Sequence, residues 1–185
     1  MQGNREYGFG IIELVVTLAV VGILATIAAP SLMTMIRDNR MTAYTNQLTA
    51  TLMRARSEAI SRRGSVTVCP SSNGTACNTT QAELGWISFW DVDADGVADG
   101  GAEVILETSA ALPAGSTLRT AAAGDNFGGG NFIRFNSRGL PNAAGTLKLC
   151  DARGAASARA VAVNLVGNII RPLGQTLTGV ALTCP

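Results

Sequence analysis

One run of residues limits this chain more than any other. From Leu14 to Ala29 it reads LVVTLAVVGILATIAA, uncharged throughout. With Phe9 to Ile12 added, the apolar stretch reaches about 21 residues, interrupted only by Glu13. A helix of that length rises about 1.5 Å per residue and crosses a bilayer core about 30 Å thick. The segment also explains why 47% of the chain is apolar and only 15% charged. A cleaved secretory signal is a poor fit. Such a signal ends in a small-x-small cut site, whereas this run leads into Pro30 and a polar amphipathic stretch. A plain membrane anchor has no use for a carboxylate near the start of its span, since an intramembrane charge is costly and asks for a partner.

After Pro30 a second helical stretch is expected to run to about Arg63. Met41, Tyr44, Leu48, Leu52, Ala55 and Ala59 recur at spacings of three and four and define one apolar face. The arginines lie largely off that face, Arg54 and Glu58 are spaced to pair, and Gly64 is read as the stop. The two stretches together predict a single helix near 50 residues, from which a domain projects clear of the membrane. From Ser65 onward the pattern changes to short strands separated by Gly, Asn and Pro turns. The expected strands are 65–69, 85–90, 104–107, 117–120, 132–135, 146–150, 160–165, 168–171 and 180–183. The Gly-rich stretch 124–130 lacks the Gly-Lys-Ser/Thr and following helix of a phosphate cradle. The fold class is α+β, a long N-terminal helix packed on an all-β head. No histidine occurs, which removes the commonest general base and metal ligand.

Gly8-Phe9-Gly10-Ile11-Ile12-Glu13-Leu14 closely resembles the type IV prepilin signature: a short polar leader ending in Gly, then Phe, three mostly apolar residues, Glu and an apolar helix. Gly10 departs from the residue usual there. The resemblance implies that a prepilin peptidase cuts between Gly8 and Phe9 and that Phe9 is then N-methylated. It further implies that Glu13 pairs with the Phe9 amine of a neighbouring subunit, and that Pro30 kinks the helix. The chain then divides into a leader (1–8), a membrane and assembly helix (9–30), an amphipathic helix (31–63) and a β-rich head (64–185). The head resembles the FimT/FimU type of minor pilin, whose domain is shared with the H-type pseudopilins of type II secretion. The stretches that carry this are Ala55-Arg56-Ser57-Glu58-Ala59, Gly85-Trp86, Ile133-Arg134-Phe135-Asn136-Ser137-Arg138-Gly139, Leu147-Lys148-Leu149-Cys150-Asp151, and Ala160-Val161-Ala162-Val163-Asn164 leading to Gly167. The implied role is structural rather than enzymatic. The subunit sits in the bacterial inner membrane with a periplasmic head, then joins other pilins in a pilus or pseudopilus through the assembly platform.

Four cysteines allow three pairings. Cys69 and Cys77 bracket the short loop PSSNGTA and suit a local bridge, which leaves Cys150 to tie down Cys184 near the C-terminus. In an exported head such bridges persist. Asp91, Asp93 and Asp95, followed by Gly96, space three carboxylates as a calcium loop begins, with Asp99 at the ninth position. The twelfth position is Ala102, with Glu103 one residue late, so the alternative is a solvated acidic turn. Charge is lopsided. Residues 75–110 hold seven acids and no base, while residues 119–185 hold seven bases against Asp125 and Asp151. Lys148, Arg159 and Arg171 are the candidates for contacting DNA, which some FimT-type pilins bind through a C-terminal Gly-Arg-x-Arg motif. Here Gly167-Asn168-Ile169-Ile170-Arg171 lacks both motif arginines, so arginines that meet water or acidic neighbours are the favoured reading.

Overall fold

The structure is a computed structural model that describes residues 10–121, 127, 132–172 and 174–184. The chain divides into two units, one ending at Arg40 and the other running from Met41 to Pro185. A single helix, α1 (Ile11–Arg62), supplies the first unit and opens the second.

In the first unit every described side chain from Gly10 to Arg40 is exposed. Leu18, Val21 and Ile23 each leave about three fifths of their surface uncovered, at 62%, 61% and 63%. Pro30 stands inside α1. Having no N–H, it leaves the carbonyl of Thr26 without its usual intrahelical donor, which is how proline loosens a helix.

In the second unit the predicted apolar face is the buried one. Met41, Leu48, Leu52, Ala55 and Ala59 are all buried, with Tyr44 half-buried beside them. The small side chains of Ala55 and Ala59 let strands approach the backbone closely. Thr45 and Thr49 also lie on this face, and each hydroxyl donates to the carbonyl four residues back at 2.7 Å, so neither is left unsatisfied in the core. The helix ends in a Schellman turn: Arg63 N–H donates to Ile60 O and Gly64 N–H to Ala59 O. The helix stops where Gly64 marks its end in the sequence, and the left-handed residue of the turn is Arg63 (φ 52°).

Two four-stranded antiparallel sheets share this core. The first contains β1 (Ser65–Pro70), β2 (Trp86–Asp91), β3 (Val104–Ser109) and β5 (Ile133–Phe135), in the order β3-β2-β1-β5. The second contains β4 (Thr117–Thr120), β6 (Gly145–Cys150), β7 (Arg159–Val163) and β8 (Ile169–Ile170), in the order β4-β6-β7-β8. Val66, Val68 and Trp86 from the first sheet meet Leu118, Leu147, Leu149, Val161 and Val163 from the second around Leu48 and Leu52. Alternation sends Cys69, Ile87 and Phe89 to the opposite face of the first sheet, where they form a separate small cluster with Cys77, Ala98 and Phe132. The expected strand at 180–183 does not form. Ala181 makes only an isolated bridge to Gln175.

A polar chain ties α1 to β2 and β3. Trp86 Nε1 donates to Thr51 Oγ1 (3.3 Å), and Thr51 Oγ1 donates to Glu107 Oε1 (3.0 Å). Glu107 also takes Arg54 at 3.7 Å, while Glu58 pairs with Arg62 at 2.7 Å. The expected Arg54–Glu58 pair is therefore replaced by two others. Glu107 draws Arg54 away, and the helix spacing offers Glu58 an equivalent partner on its other side.

Candidate functional site

Gly8 and Phe9 lie outside the described residues. Glu13 occupies the first turn of α1, where a carboxylate faces the positive end of the helix dipole, and its exposed side chain makes no hydrogen bond or ion pair among the described residues. Around it Ile11 and Ile12 are 84% and 75% exposed. This end of the chain therefore offers one acid on an uncovered apolar rod. The helix is long and apolar enough to cross a membrane, and none of its most apolar window is buried.

In the head, three of the sequence stretches singled out above converge. Asn136 and Asn164 each open a turn of the same construction. The Asn136 side chain accepts from the N–H of Arg138 (2.9 Å) and Leu140 (3.1 Å), Gly139 N–H donates to Asn136 O (2.8 Å), and Asn136 N–H to Leu140 O (3.0 Å). The Asn164 side chain accepts from Val166 (3.2 Å) and Asn168 (2.9 Å), Gly167 N–H donates to Asn164 O (2.9 Å), and Asn164 N–H to Asn168 O (3.1 Å). In both, the glycine is left-handed (φ 73° and 78°), which the Asn-x-x-Gly pattern supplies at no steric cost. The glycines also face one another. A methyl group on Gly167 would strike Gly139 O, and one on Gly139 would strike Ile60. Arg56, from the last turns of α1, joins the two, with Nε donating to Gly139 O (2.9 Å) and Nη2 to Val166 O (3.3 Å). Beside this junction lies an open groove of about 550 Å³, walled by Met53, Ser57 and Ile60 on the helix and by Asn168 and the two residues of β8.

The acidic stretch folds over the outer face of the first sheet. Asp91 is buried and organises the loop. Its carboxylate accepts from Thr67 Oγ1 (2.6 Å), Asp95 N–H (3.1 Å) and Gly96 N–H (3.1 Å). Oxygens of Asp91, Asp93 and Asp95 lie within 4.8 Å of one another, and Asp93 and Asp95 are exposed. Asp99 is not part of that group. Its N–H donates instead to Glu103 (3.2 Å), which also accepts from Val92 N–H (3.1 Å). Partial burial raises the Glu103 carboxyl above its ordinary range. The two N–H donors work against this, and the charges of Asp99 and Asp91 add to it. Asp91 thus gives three of its roughly four acceptor sites to the protein, and Asp93 and Asp95 carry negative charge to solvent.

Both disulfides form. Cys69 joins Cys77 with Cα atoms 5.6 Å apart, and Cys150 joins Cys184 with Cα atoms 5.9 Å apart. The three bases singled out as candidates for contacting DNA have different surroundings. Lys148 Nζ donates to Thr183 O (2.8 Å), Arg171 donates to Asn46, and Arg159 is half-buried beside apolar side chains, its Nε without a hydrogen-bond partner among the described residues. Part of the charge asymmetry is answered inside the head, by Glu83–Arg119, Glu107–Arg54 and Asp151–Arg153.

Comparison with known proteins agrees with this geometry. The profile of the type II transport protein GspH family matches residues 44–167, and the prokaryotic N-terminal methylation motif matches residues 3–29. No curated protein matches the sequence. Among solved structures, the type IV minor pilin FimU of Pseudomonas aeruginosa is similar in two crystal forms. The first has 17% identity and a TM-score of 0.55, covering 75% of this chain and 98% of that one. The second has 19% identity and a TM-score of 0.55, covering 73% and 94%. At such identities the likeness is one of fold. The minor pseudopilin EpsH of Vibrio cholerae follows at 11% identity and a TM-score of 0.47, covering 72% and 96%, and adds no argument. Membership implies assembly with other pilin-type subunits and processing by a prepilin peptidase. With the family profile spanning well over half its length and the methylation motif at its start, this chain belongs to the GspH family of minor pilins and pseudopilins.

Proposed function

We propose that the chain is a structural subunit that assembles into, or primes, a type IV pilus. The observation that carries this is the first unit: an uncovered apolar helix whose one acid near its start has no described partner. In this reading prepilin peptidase cuts between Gly8 and Phe9 and methylates Phe9. The subunit waits in the inner membrane with its head in the periplasm, where the two disulfides are stable. It enters the fibre through the assembly platform, burying the helix among sister helices while Glu13 meets the Phe9 amine of a neighbour. A paired charge in an apolar bundle costs far less than a lone one. The work is packing and one ion pair, with no catalytic step, and the chain has no histidine to serve as a base.

Mass spectrometry of the native protein tests this directly. An N-methylated phenylalanine at position 9 is expected, and an intact Met1 overturns the reading. Glu13→Leu should still reach the membrane but drop out of sheared fibres. The description of the family favours a second reading, a type II secretion pseudopilus. Deleting the subunit separates the two, through loss of surface pili or loss of secreted protein. DNA binding would rest on Lys148, Arg159 and Arg171, and a gel shift with the head at low salt tests it.

A further inference from the structure

The head carries two faces of opposite charge that do not overlap. The first is the loop between β2 and β3 over the outer face of the first sheet. Asp93, Asp95 and Asp99 are exposed there, Glu103 is half-exposed, and Val92 and Val97 stand out at 50% and 51%. Arg134, which reaches the carbonyl of Ala94, brings a positive charge to its edge. The second is the groove beside β8. Met53, Ile60 and Ile170 are 53%, 47% and 41% exposed on its walls. Arg56 is bonded there only to neutral carbonyls and Arg171 to a neutral amide, and Arg138 lies in the turn that abuts Ile60. None of these three arginines has a carboxylate partner among the described residues. Exposed apolar side chains ringed by a single sign of charge mark an interaction surface.

We infer that these faces bind each other between copies: the acidic, valine-bearing loop of one head seats in the basic groove of the next, and the occupant is a second copy of this chain. Each side supplies what the other lacks, carboxylates against guanidiniums and valines against Met53, Ile60 and Ile170. The loop is fixed by the three bonds to Asp91 and the groove by the Arg56 junction, so little ordering is needed on contact. A contact between two different patches is heterologous. Unlike a two-fold dimer, it leaves a free loop on one head and a free groove on the other, so further copies can add to form a ring or an open line. The inference concerns the head alone and stands or falls apart from the N-terminal processing that tests the fibre reading.

The test uses residues 41–185, whose core and both disulfides come from this unit alone. Sedimentation velocity at about 20 mM salt should show growth beyond a dimer as concentration rises, and this should be lost at about 0.5 M. Asp93→Lys with Asp99→Lys should weaken self-association at least about tenfold, and so should Arg138→Glu with Arg171→Glu. Asp93 accepts one N–H inside the loop, from Asp95, and Arg171 bonds Asn46, so circular dichroism checks that both variants fold. Mixing the two charge-reversed heads should restore association, because the acidic loop of one again meets a basic groove on the other. A head that stays monomeric at low salt overturns the inference. So does self-association that survives both reversals, or a mixture that fails to recover it.

Discussion

The two halves of α1 share a backbone and differ in everything their side chains meet. From Met41 to Arg62 a stripe of the helix is buried, with Leu52 and Ala59 at 0% exposure. From Gly10 to Arg40 no described side chain is buried at all. The reason is periodicity. The upper half separates apolar from polar residues by face, so one side can pack on two sheets while the other stays wet. The lower half is apolar all round, and no single face can be satisfied. Leu14, Val15, Val16, Leu18, Val20, Val21, Ile23 and Leu24 all leave half or more of their surface uncovered. Covering what remains is worth on the order of 10 kcal/mol, comparable to the whole stability of a typical domain. Such a helix needs a partner outside its own chain, either lipid or sister helices, whereas the head needs none.

The sharpest way to break that contrast is to make one cut in each half. Leu52→Ala should destabilise the head by about 2–5 kcal/mol, since it empties a fully buried site between two sheets. Leu18→Ala should leave head unfolding unchanged, read by urea titration of the full chain in detergent with near-ultraviolet circular dichroism as the probe. A comparable loss from Leu18→Ala would mean that the head depends on the lower half. The disulfides come next. Removing Cys150–Cys184 should cost about 3.8 kcal/mol and Cys69–Cys77 about 2.6 kcal/mol on the chain-entropy model, because the first closes the longer loop. Melting of Cys150→Ser with Cys184→Ser against Cys69→Ser with Cys77→Ser gives that order, and the reverse order would show that strain or local packing decides instead.

The same contrast decides what could be read without coordinates. Spacing alone locates the buried stripe of α1, because Leu48, Leu52, Ala55 and Ala59 repeat with the helical period. It also places eight of the strands to within a residue or two, since alternation survives in short segments. Spacing does not show which residues become neighbours across the chain. Arg54 finds Glu107 rather than Glu58, a choice made by β3 folding alongside. Thr51 looks like an ordinary helix residue, yet it carries the link from Trp86 to Glu107. The two Asn-x-x-Gly turns were within reach as a repeated pattern, but their meeting on Arg56 depends on β5 and β7 lying in different sheets. The tail at 180–183 resembles a strand in composition but forms only an isolated bridge, to Gln175.

Arg56 is the place to probe how firmly the end of the upper half is held. Arg56→Ala frees Gly139 O and Val166 O from a charged donor, and since the groove beside it is open, water replaces part of the loss. About 1–2 kcal/mol is expected. Exchange should quicken first at the amides of Gly139, Leu140, Gly167 and Asn168, which belong to the two turns. Arg56→Lys should recover little, because one ammonium on a flexible stem does not reproduce a fork across two carbonyls. Uniform acceleration across all strands would show instead that the junction supports the whole core.

The smallest effect lies in the loop before β3, at Glu103. Its carboxyl is held above the ordinary value of 4.5, chiefly by partial burial, with Asp99 and Asp91 adding to the rise. A raised folded value means that the native head binds this proton more readily than the unfolded chain does. Its contribution is therefore most favourable below about pH 4.5 and declines as pH rises through the raised folded value. The side chain is mostly solvated, so screening keeps the effect small. The measurable quantity is the difference in melting temperature between wild type and Glu103→Gln across pH 4 to 7, in which the other carboxylates cancel. Wild type should lose ground to the variant as pH rises, by no more than about 2 °C. Loss in the opposite direction would mean that the N–H donors of Val92 and Asp99 outweigh burial, and that ionised Glu103 helps to hold the acidic loop in shape.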